Sequence, residues 1–484
     1  MGQVSGIDGK KFLSSALWSA AGSWGRQFLS LLILIVSARL LSPAEIGLIS
    51  IPAILLMIKE ASLDWALNET LVRRLDLTDP QLNSAFWFSV LIGAVPGLAL
   101  TAAGGWIGDL IGDPTFLAIN AALAICYPLA GASAVFEARL RRDLDFQVLA
   151  IRPLVALSIA GFAGIALILA GYGVWGLVAQ IVIEKLVGFL LLLRVSRWKP
   201  GLSVSRHDIR PLMPDFLSIA GAQLLSHGAR NIDRLAVGVL FPPAVTGAYI
   251  LACRVVETAT TLLLQGANKV VYVLFSRLQG ESEQLQAALN RASEVTALVA
   301  VPAFVGLSVL ASDVVVLLFG RQWEATGTLL QVLILAGIPQ VIAGYTDSIA
   351  RAVGKANLFL ANMGVTLLIT VIYLIIVAGS GPTAIASVPL VREATGLVVG
   401  LLIVRTVIGA PVTQLLRCLL PIIFSVIVMA ALLETARPAV VESFGQPASL
   451  AICILMGIAV YASTILLTAR SSLLRTLAFV REIR

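Results

Sequence analysis

Apolar stretches of about 20 residues recur from Phe12 to Thr468, and each is long enough to cross a hydrocarbon core of about 30 Å as a helix. Of the 484 residues, 58% are hydrophobic and 13% are charged, whereas about 25% of the residues in soluble domains are charged. Backbone groups in lipid must be paired within a helix or a closed barrel. Because the runs 29–36 and 367–377 lack the two-residue alternation of barrel strands, we predict an all-α polytopic membrane protein.

The apolar runs predict about fourteen transmembrane helices. Their approximate bounds are 12–40, 44–68, 82–106, 115–140, 146–170, 174–195, 211–240, 244–275, 286–311, 326–350, 356–378, 383–405, 412–434 and 447–468. Positive clusters such as Arg139 to Arg142 alternate with turns that have few positive charges, such as Gly171 to Gly173. Short cytoplasmic loops carry the positive charge, so both termini are predicted in the cytoplasm of a bacterial inner membrane. The first apolar run is too long for a cleaved signal, and we expect the mature chain to begin near Met1.

The positions of the cysteines, the small number of histidines and the distribution of charge argue against metal, cofactor and nucleic-acid sites. The cysteines Cys126, Cys253, Cys418 and Cys453 all lie in apolar runs and are predicted to be small core residues. With His207 and His227 as the only histidines, we predict no metal site and no cofactor. The net charge of +7 follows the loop pattern, so we expect membrane lipids as partners and no nucleic acid.

An internal repeat is indicated by two pairs of matching segments. Leu41 to Gly47 and Phe241 to Gly247 share Pro-Ala-x-x-Gly at equivalent turns. A weaker match relates the region from Pro128 to Arg139 to that from Pro339 to Arg351. The repeat predicts two six-helix lobes plus two C-terminal helices, an arrangement in which transporters bind substrate between repeats. The predicted domains are residues 1–200 (helices one to six), 201–410 (helices seven to twelve) and 411–484 (the last two helices and a cytoplasmic tail).

The chain resembles the polysaccharide transporter branch of the multidrug/oligosaccharidyl-lipid/polysaccharide flippase superfamily, which includes O-antigen and exopolysaccharide flippases. The resemblance is carried by the turn from Ala38 to Gly47, the segment Leu318 to Trp323, and the plan of the whole chain. It implies inward-to-outward flipping of a lipid (undecaprenyl) diphosphate-linked oligosaccharide for lipopolysaccharide or exopolysaccharide biosynthesis. It also implies two lobes that rock about a central cavity, and further partners such as a polysaccharide polymerase and export machinery.

Ionisable residues at membrane depth are expected to face a cavity or a partner. Arg26 lies near the middle of the first predicted helix and has no acid at helical spacing. Its guanidinium group is well shaped to bind phosphate, and the resemblance supports this role because related lipid flippases carry an arginine in that helix. The alternative is an ion pair with an acid on another helix.

The second helix carries Lys59, Glu60 and Asp64. Glu60 and Asp64 are predicted to lie one turn apart on one face, as a proton or sodium coupling site would require. A solvated helix end is the alternative for Asp64. Lys59 is predicted to bind substrate, or only to neutralise the two acids.

The seventh and eighth helices add further candidates. Arg230 and Arg254 are predicted to bind substrate together with Arg26 and Lys59, in a cationic chamber between the lobes. Asp233 and Glu257 are predicted coupling residues, with the alternative that Arg230–Asp233 and Arg254–Glu257 are intrahelical ion pairs. Lys269 is predicted to attract the substrate headgroup. Most of the remaining scattered charges are interpreted as helix-packing pairs: Arg152, Glu184 with Lys185, Glu294, Asp347, and Arg392 with Glu393. Arg437 lies near Glu434 in the sequence.

These residues favour a flippase over two alternatives. An ion-coupled multidrug antiporter of the same superfamily is expected to have a cavity dominated by acids. A membrane enzyme acting on lipid-linked sugars, such as a polymerase or acyltransferase, usually needs a large external loop or a histidine–acid group, and the predicted loops are short. We therefore predict that the chain is not an enzyme. No nucleotide-binding motif is evident, which leaves an ion gradient, downstream consumption of the product or a partner as the energy source.

Overall fold

A computed structural model describes residues 9–74, 76–196, 198–278, 281–353, 356–409 and 412–468, with some side chains inside these ranges excepted. Within this part, twelve helices are long and apolar enough to cross a membrane. They are α2 (Pro43–Arg73), α3 (Asp79–Asp109), α4 (Thr115–Arg142), α5 (Phe146–Tyr172), α6 (Val174–Val195), α8 (Pro243–Arg277), α9 (Ser282–Val309), α10 (Arg321–Ala352), α11 (Asn357–Val377), α12 (Pro382–Ile408), α13 (Thr413–Phe444) and α14 (Pro447–Thr468).

Two further long helices, α1 (Gly9–Leu40) and α7 (Met213–Leu240), complete the set. Each of the fourteen helices overlaps one predicted segment, and the described residues contain no β-strand. The all-α membrane fold is therefore confirmed. The count of fourteen spans stays a prediction, since α1 and α7 do not meet the same criteria of length and hydropathy over their described residues. Helix α7 is unusually polar for a span because it includes Asp215, His227, Arg230, Asp233 and Arg234.

The chain divides into two compact units, Met1–Gly247 and Ala248–Arg484. In unit 1, α1 and α6 pack on α5, α3 packs on α4, and α7 packs on α2. In unit 2, α9 packs on α10 and α13, α12 packs on α10 and α11, and α13 packs on α14. The predicted division at residues 200 and 410, which follows the repeat, stays a prediction.

The turn between α1 and α2 explains why the first copy of the repeated segment has its sequence. The Ser42 hydroxyl caps the start of α2 by accepting from the Glu45 backbone N–H, and the Glu45 carboxylate accepts from the Ser42 backbone N–H at 2.8 Å. This reciprocal capping satisfies backbone donors that a helix start leaves unpaired. Pro43 occupies the first helical turn, where a missing N–H costs nothing.

The glycines of the two repeated segments allow a close backbone approach inside unit 1. A Cβ atom at Gly47 would collide with the carbonyl oxygen of Pro243, and one at Gly247 would collide with the carbonyl oxygen of Pro43. The starts of α2 and α8 therefore meet through the shared Pro-Ala-x-x-Gly pattern, each glycine facing the proline of the other copy. Any larger residue at either glycine would force the two helix starts apart.

Helix α2 changes its winding in the middle. Residues Glu60–Asp64 form a π-helical turn between two α-helical segments. Such a turn inserts one extra residue and rotates the positions that follow it, and π-turns are frequent at functional sites. Glu60 and Asp64 are thus separated by a π-helical turn, where a regular α-helical turn was predicted.

In unit 2, the segment that resembles the family motif is a sharp connection. The short helix Ala311–Phe319 precedes it, where the prediction had the end of a longer helix and a loop. Gly320 has φ +102°, a conformation that favours glycine, and this directs the chain into α10. Phe319 and Trp323 on either side are fully buried, so the motif fixes the angle between two packed helices.

The last two helices, α13 and α14, are attached to the rest of unit 2 by polar contacts as well as by packing. Arg437 of α13 makes a two-bond fork to Asp313, with Nε–Oδ2 at 2.7 Å and Nη2–Oδ1 at 3.1 Å. The Tyr461 hydroxyl of α14 donates to the Leu298 carbonyl of α9 at 2.9 Å. The acid that pairs with Arg437 is thus Asp313, and the sequence neighbour Glu434 is not its ion-pair partner among the described residues.

Candidate functional site

A cavity of about 570 Å³ lies inside unit 1, among α1, α2, α4, α5 and α6. Its lining is unusually charged for the interior of a membrane protein, where ionisable groups are costly and tend to be functional. The four cationic lining residues are Arg26, Arg141, Arg152 and Lys185, and the four acidic ones are Glu60, Asp64, Glu137 and Glu184. Small residues such as Gly22, Ala156 and Gly188 leave room between the helices.

Arg26 extends from α1 into this cavity and pairs with Glu184 of α6, with Nη2–Oε1 at 3.2 Å. Its side chain nevertheless keeps 54% of its surface exposed. The interhelical pair was the alternative interpretation from the sequence, and the structure combines it with a cavity position. A guanidinium has five N–H donors, so a single contact to Glu184 leaves capacity for an anionic ligand.

Two further ion pairs involve the π-helical turn of α2. Lys185 of α6 pairs with Glu60 (Nζ–Oε1 2.6 Å), and Lys59 pairs with Asp64 (Nζ–Oδ1 2.8 Å). The two acids both line the cavity, but each has its own cation. Asp64 is only 12% exposed, which excludes the solvated helix end considered for it.

Lys59 has a different environment from the one predicted for a substrate ligand. It is 4% exposed and is not among the residues lining the cavity. Its ammonium also donates to the Tyr127 carbonyl at 2.8 Å. Gly131 lies beside this ammonium, and a Cβ there would collide with the Ser89 carbonyl, so the glycine permits the close packing of α3 and α4 around the lysine.

At another part of the wall, Arg152 of α5 pairs with Glu137 of α4 at 2.7 Å. The Arg141 guanidinium lies over the Trp65 ring, 4.8 Å from its centre. The interpretation of Arg152, Glu184 and Lys185 as packing pairs was incomplete, because the same side chains also line the cavity. Their position at membrane depth is the sequence signal for a cavity, and it applies to these residues as it does to Arg26.

The other predicted site residues are not part of this cavity. Arg230 is exposed and Asp233 is buried on α7, and neither lines it. Arg254 and Glu257 of α8 belong to unit 2 and pair with each other at 3.5 Å, as the intrahelical alternative predicted. The side chain of Lys269 lies outside the described residues. In the cavity of unit 1 the described cations and acids are equal in number, so the predicted dominance of arginine does not apply there.

Comparison with known sequences finds a family and relatives that are named for polysaccharide biosynthesis. The family described as "Polysaccharide biosynthesis protein" matches residues 36–328. The chain is 22% identical over 355 residues to the lipopolysaccharide biosynthesis protein WzxC of Escherichia coli strain K12, covering 72% of this chain and 71% of that protein. It is 24% identical over 333 residues to the succinoglycan biosynthesis transport protein ExoT of Rhizobium meliloti strain 1021, covering 68% and 67% of the two chains.

Comparison with solved structures shows the same fold. The lipid II flippase MurJ in an inward closed conformation superposes with a TM-score of 0.74 at 16% identity, covering 94% of this chain and 100% of that one. An inward-facing multidrug resistance transporter of the MATE family, in the MOP superfamily, gives a TM-score of 0.65 at 17% identity, covering 79% and 94%. At these identities the likeness concerns the fold alone.

Proposed function

We propose that this chain, which belongs to the polysaccharide biosynthesis protein family, translocates an undecaprenyl-diphosphate-linked oligosaccharide across the bacterial inner membrane. The supporting relatives are named for lipopolysaccharide biosynthesis and for succinoglycan transport. The fold is also that of a protein named as a lipid II flippase. Movement is from the cytoplasmic to the external face, by alternating access, and supplies surface polysaccharide assembly.

The observation that carries the proposal is the half-exposed guanidinium of Arg26 in a cavity at membrane depth. A diphosphate entering the cavity competes with Glu184 for this guanidinium. Arginine suits the task because its planar fork binds phosphate oxygens with two parallel hydrogen bonds. When the diphosphate leaves, Glu184 takes its place, so the arginine is never left as an unpaired charge in a medium of low dielectric.

The neighbouring pairs supply a route for coupling to an ion gradient. Glu184 and Lys185 are adjacent on α6, so displacement of Glu184 by substrate also shifts the Lys185–Glu60 pair. A proton or sodium ion attracted to Glu60 or Asp64 then stabilises the rearranged state. Lys59 holds Asp64 in place in this scheme and does not contact substrate. Asp233 and Glu257 stay secondary candidates for coupling.

Arg230, Arg254 and Lys269 remain proposed contacts for the diphosphate on α7 and α8. Their placement on the first helices of the second repeat motivates this role, since transporters bind substrate between repeats. Both termini are proposed to lie in the cytoplasm, in accord with the alternation of positive loops. A polysaccharide polymerase and export machinery are the proposed downstream partners.

A second candidate function is ion-coupled multidrug antiport. The observation that favours it is the set of four carboxylates lining the same cavity, which could hold a cationic drug. The two functions differ in the effect that Arg26 has on binding of the ligand. A diphosphate requires the arginine, whereas a cationic drug would bind better without it.

The test is complementation of a strain of the source organism that lacks the gene. We expect the deletion to accumulate lipid-linked glycan on the inner leaflet and to lose surface polysaccharide, and the wild-type gene to restore it. Arg26→Ala and Arg254→Ala should fail to restore polymer at normal protein abundance, whereas Arg73→Ala should restore it. Arg73 is a matched control because it is an exposed arginine paired along its own helix with Glu69.

Normal polymer output from both arginine variants would remove these residues from substrate binding. Normal polymer in the deletion strain, together with increased sensitivity to cationic drugs, would replace the flippase proposal with the antiporter.

A further inference from the structure

A second cavity in unit 1, of about 1160 Å³, forms a groove between the first half of α3 and residues 198–212, which are called the linker because they lead to α7. Its α3 wall is apolar and consists of Trp87, Phe88, Val90, Leu91 and Ala94. None of its lining residues lines the cavity that contains Arg26. It is therefore a separate site, and its ligand is independent of the substrate proposed above.

The linker is fixed to α3 by a series of hydrogen bonds. The Trp87 indole N–H donates to the Gly201 carbonyl at 2.9 Å, and the Gly201 backbone N–H donates to the Asn83 side-chain oxygen at 2.9 Å. The Ser205 backbone N–H donates to the Ser84 hydroxyl at 3.0 Å, and that hydroxyl donates to the Asp208 carboxylate at 3.3 Å. These hydrogen bonds fix the two walls of the groove, α3 and the linker, relative to each other.

The linker wall carries two arginines, Arg206 and Arg210, both of which line the groove and are exposed. They lie one helical turn apart, since the Arg210 backbone N–H donates to the Arg206 carbonyl. Within the described part of the chain neither guanidinium forms an ion pair. The nearby acid, Asp208, instead accepts from the Ser84 hydroxyl. Two adjacent positive charges without a counter-charge call for an anionic ligand.

The surroundings identify what kind of anion fits. Leu202 and Val204 on the linker are 87% and 60% exposed. Exposed apolar side chains next to arginines are typical of segments that lie in the headgroup region of a membrane. The predicted topology places this linker on the cytoplasmic side, where anionic lipids attract basic residues. From Trp87 to Ala94 the α3 wall extends about 10 Å along the helix, which suits the upper part of one acyl chain.

We propose that this groove binds one anionic phospholipid. Its phosphate lies between Arg206 and Arg210, and an acyl chain lies along Val90, Leu91 and Ala94. The bound lipid covers the apolar wall and neutralises the two arginines, so the linker stays docked on α3. A zwitterionic phospholipid binds more weakly because its own cation opposes the arginine pair.

The proposal is tested by native mass spectrometry of the full chain in detergent, titrated with phosphatidylglycerol or with phosphatidylethanolamine. We expect one tightly retained phosphatidylglycerol and several-fold weaker retention of phosphatidylethanolamine. At about fivefold per basic residue, the double variant R206A/R210A should weaken phosphatidylglycerol retention by about twenty-five-fold. The matched control is Lys199→Ala, which removes an exposed cation of the same linker that does not line the groove.

A second variant, Ala94→Trp, fills the groove without changing its charge and should also weaken retention. Thermal unfolding of each variant verifies that it is folded, and a folded Ala94→Trp variant keeps the test valid if the arginine variant is unstable. Unchanged phosphatidylglycerol retention in both variants would overturn the proposal, as would equal retention of the two lipids by the wild type. A loss of undecaprenyl diphosphate binding with phosphatidylglycerol unchanged would assign the arginines to substrate and also overturn it.

Discussion

Two ion-paired arginines at opposite ends of the chain, Arg26 in unit 1 and Arg437 in unit 2, have different surroundings. Arg26 touches Glu184 through a single nitrogen and keeps 54% of its side chain exposed in a cavity. Arg437 donates two hydrogen bonds to Asp313 from two different nitrogens, and the side chains of Arg437 and Asp313 are only 25% and 10% exposed. We propose that the first pair exchanges Glu184 for an anionic ligand, whereas the second pair joins two helices.

Charges that bind a ligand and charges that hold a membrane fold together differ in two structural properties. An intramembrane ion pair is costly to form and costly to break, so its presence alone does not reveal a role. The number of donors already used and the access to a cavity distinguish the two cases. By this criterion Lys59, which is buried and donates to two oxygens, has a structural role like that of Arg437.

The largest effect is expected from breaking the two-bond fork. Arg437→Ala should lower the free energy of unfolding by about 3 kcal/mol, because Asp313 is left as a buried charge without its partner. Arg26→Ala should lower it by less than about 1 kcal/mol, because the pair it breaks is half exposed. Unfolding of the purified protein in a titration with sodium dodecyl sulfate measures both. Equal losses in the two variants would show that Arg26 holds its helices together as much as Arg437 does.

The next largest effect concerns the geometry of the fork. Exchanging the two charges, Asp313→Arg with Arg437→Asp, should recover more than half of the stability lost in the Arg437→Ala variant, since opposite charges again face each other across the helices. The same unfolding titration measures the recovery. A double variant that is less stable than the single one would mean that the surrounding helices accept only one orientation of the pair.

A smaller effect is expected from removing the competitor of substrate in the cavity. Glu184→Gln should strengthen binding of undecaprenyl diphosphate about threefold, equivalent to about 0.65 kcal/mol, because Arg26 no longer has a charged partner to displace. Binding is measured by native mass spectrometry of the detergent-solubilised protein. Glu69→Gln, at an exposed pair on α2, is the control and should leave the affinity unchanged. Weaker binding in the Glu184 variant would show that the carboxylate orients Arg26 for the ligand.

The smallest effect is expected at Arg254, whose partner Glu257 lies on the same helix. Both side chains are exposed, and such pairs contribute little to stability. Arg254→Ala should therefore change the free energy of unfolding by less than about 0.5 kcal/mol. A thermal unfolding curve that coincides with the wild type would make any loss of polymer a transport defect. A large destabilisation would instead show that Arg254, like Arg437, stabilises the fold.

Much of the fold could be predicted from the sequence, because hydropathy and helix-start chemistry are local. Apolar runs located all fourteen long helices, and the turn around Ser42 and Pro43 has the capping residues that a helix start requires. The pattern Pro-Ala-x-x-Gly was recognised as a repeat. That its two copies touch through Gly47 and Gly247 could not be derived, since nothing local states which helices approach each other.

The site was predicted less well, for reasons of distance and register. Arg26 was identified, but its partner Glu184 is 158 positions away and on another helix. A regular helical period also does not anticipate the π-helical turn from Glu60 to Asp64. The charges of α5 and α6 fit helix-packing pairs from the sequence alone, because several charges of this kind have a neighbour of opposite sign. Their arrangement around one cavity depends on the tertiary structure.

The proposed role of Arg26 is to bind the diphosphate of a lipid-linked glycan as the glycan crosses the bilayer. It is tested most directly in proteoliposomes that contain the purified protein and a fluorescent undecaprenyl-diphosphate oligosaccharide, with a membrane-impermeant quencher reporting transbilayer movement. The wild type should move the lipid, Arg26→Ala should be at least about tenfold slower, corresponding to loss of one charge-assisted contact, and Arg73→Ala should match the wild type. Movement by the Arg26→Ala protein at the wild-type rate would show that Arg26 does not bind the diphosphate during transport.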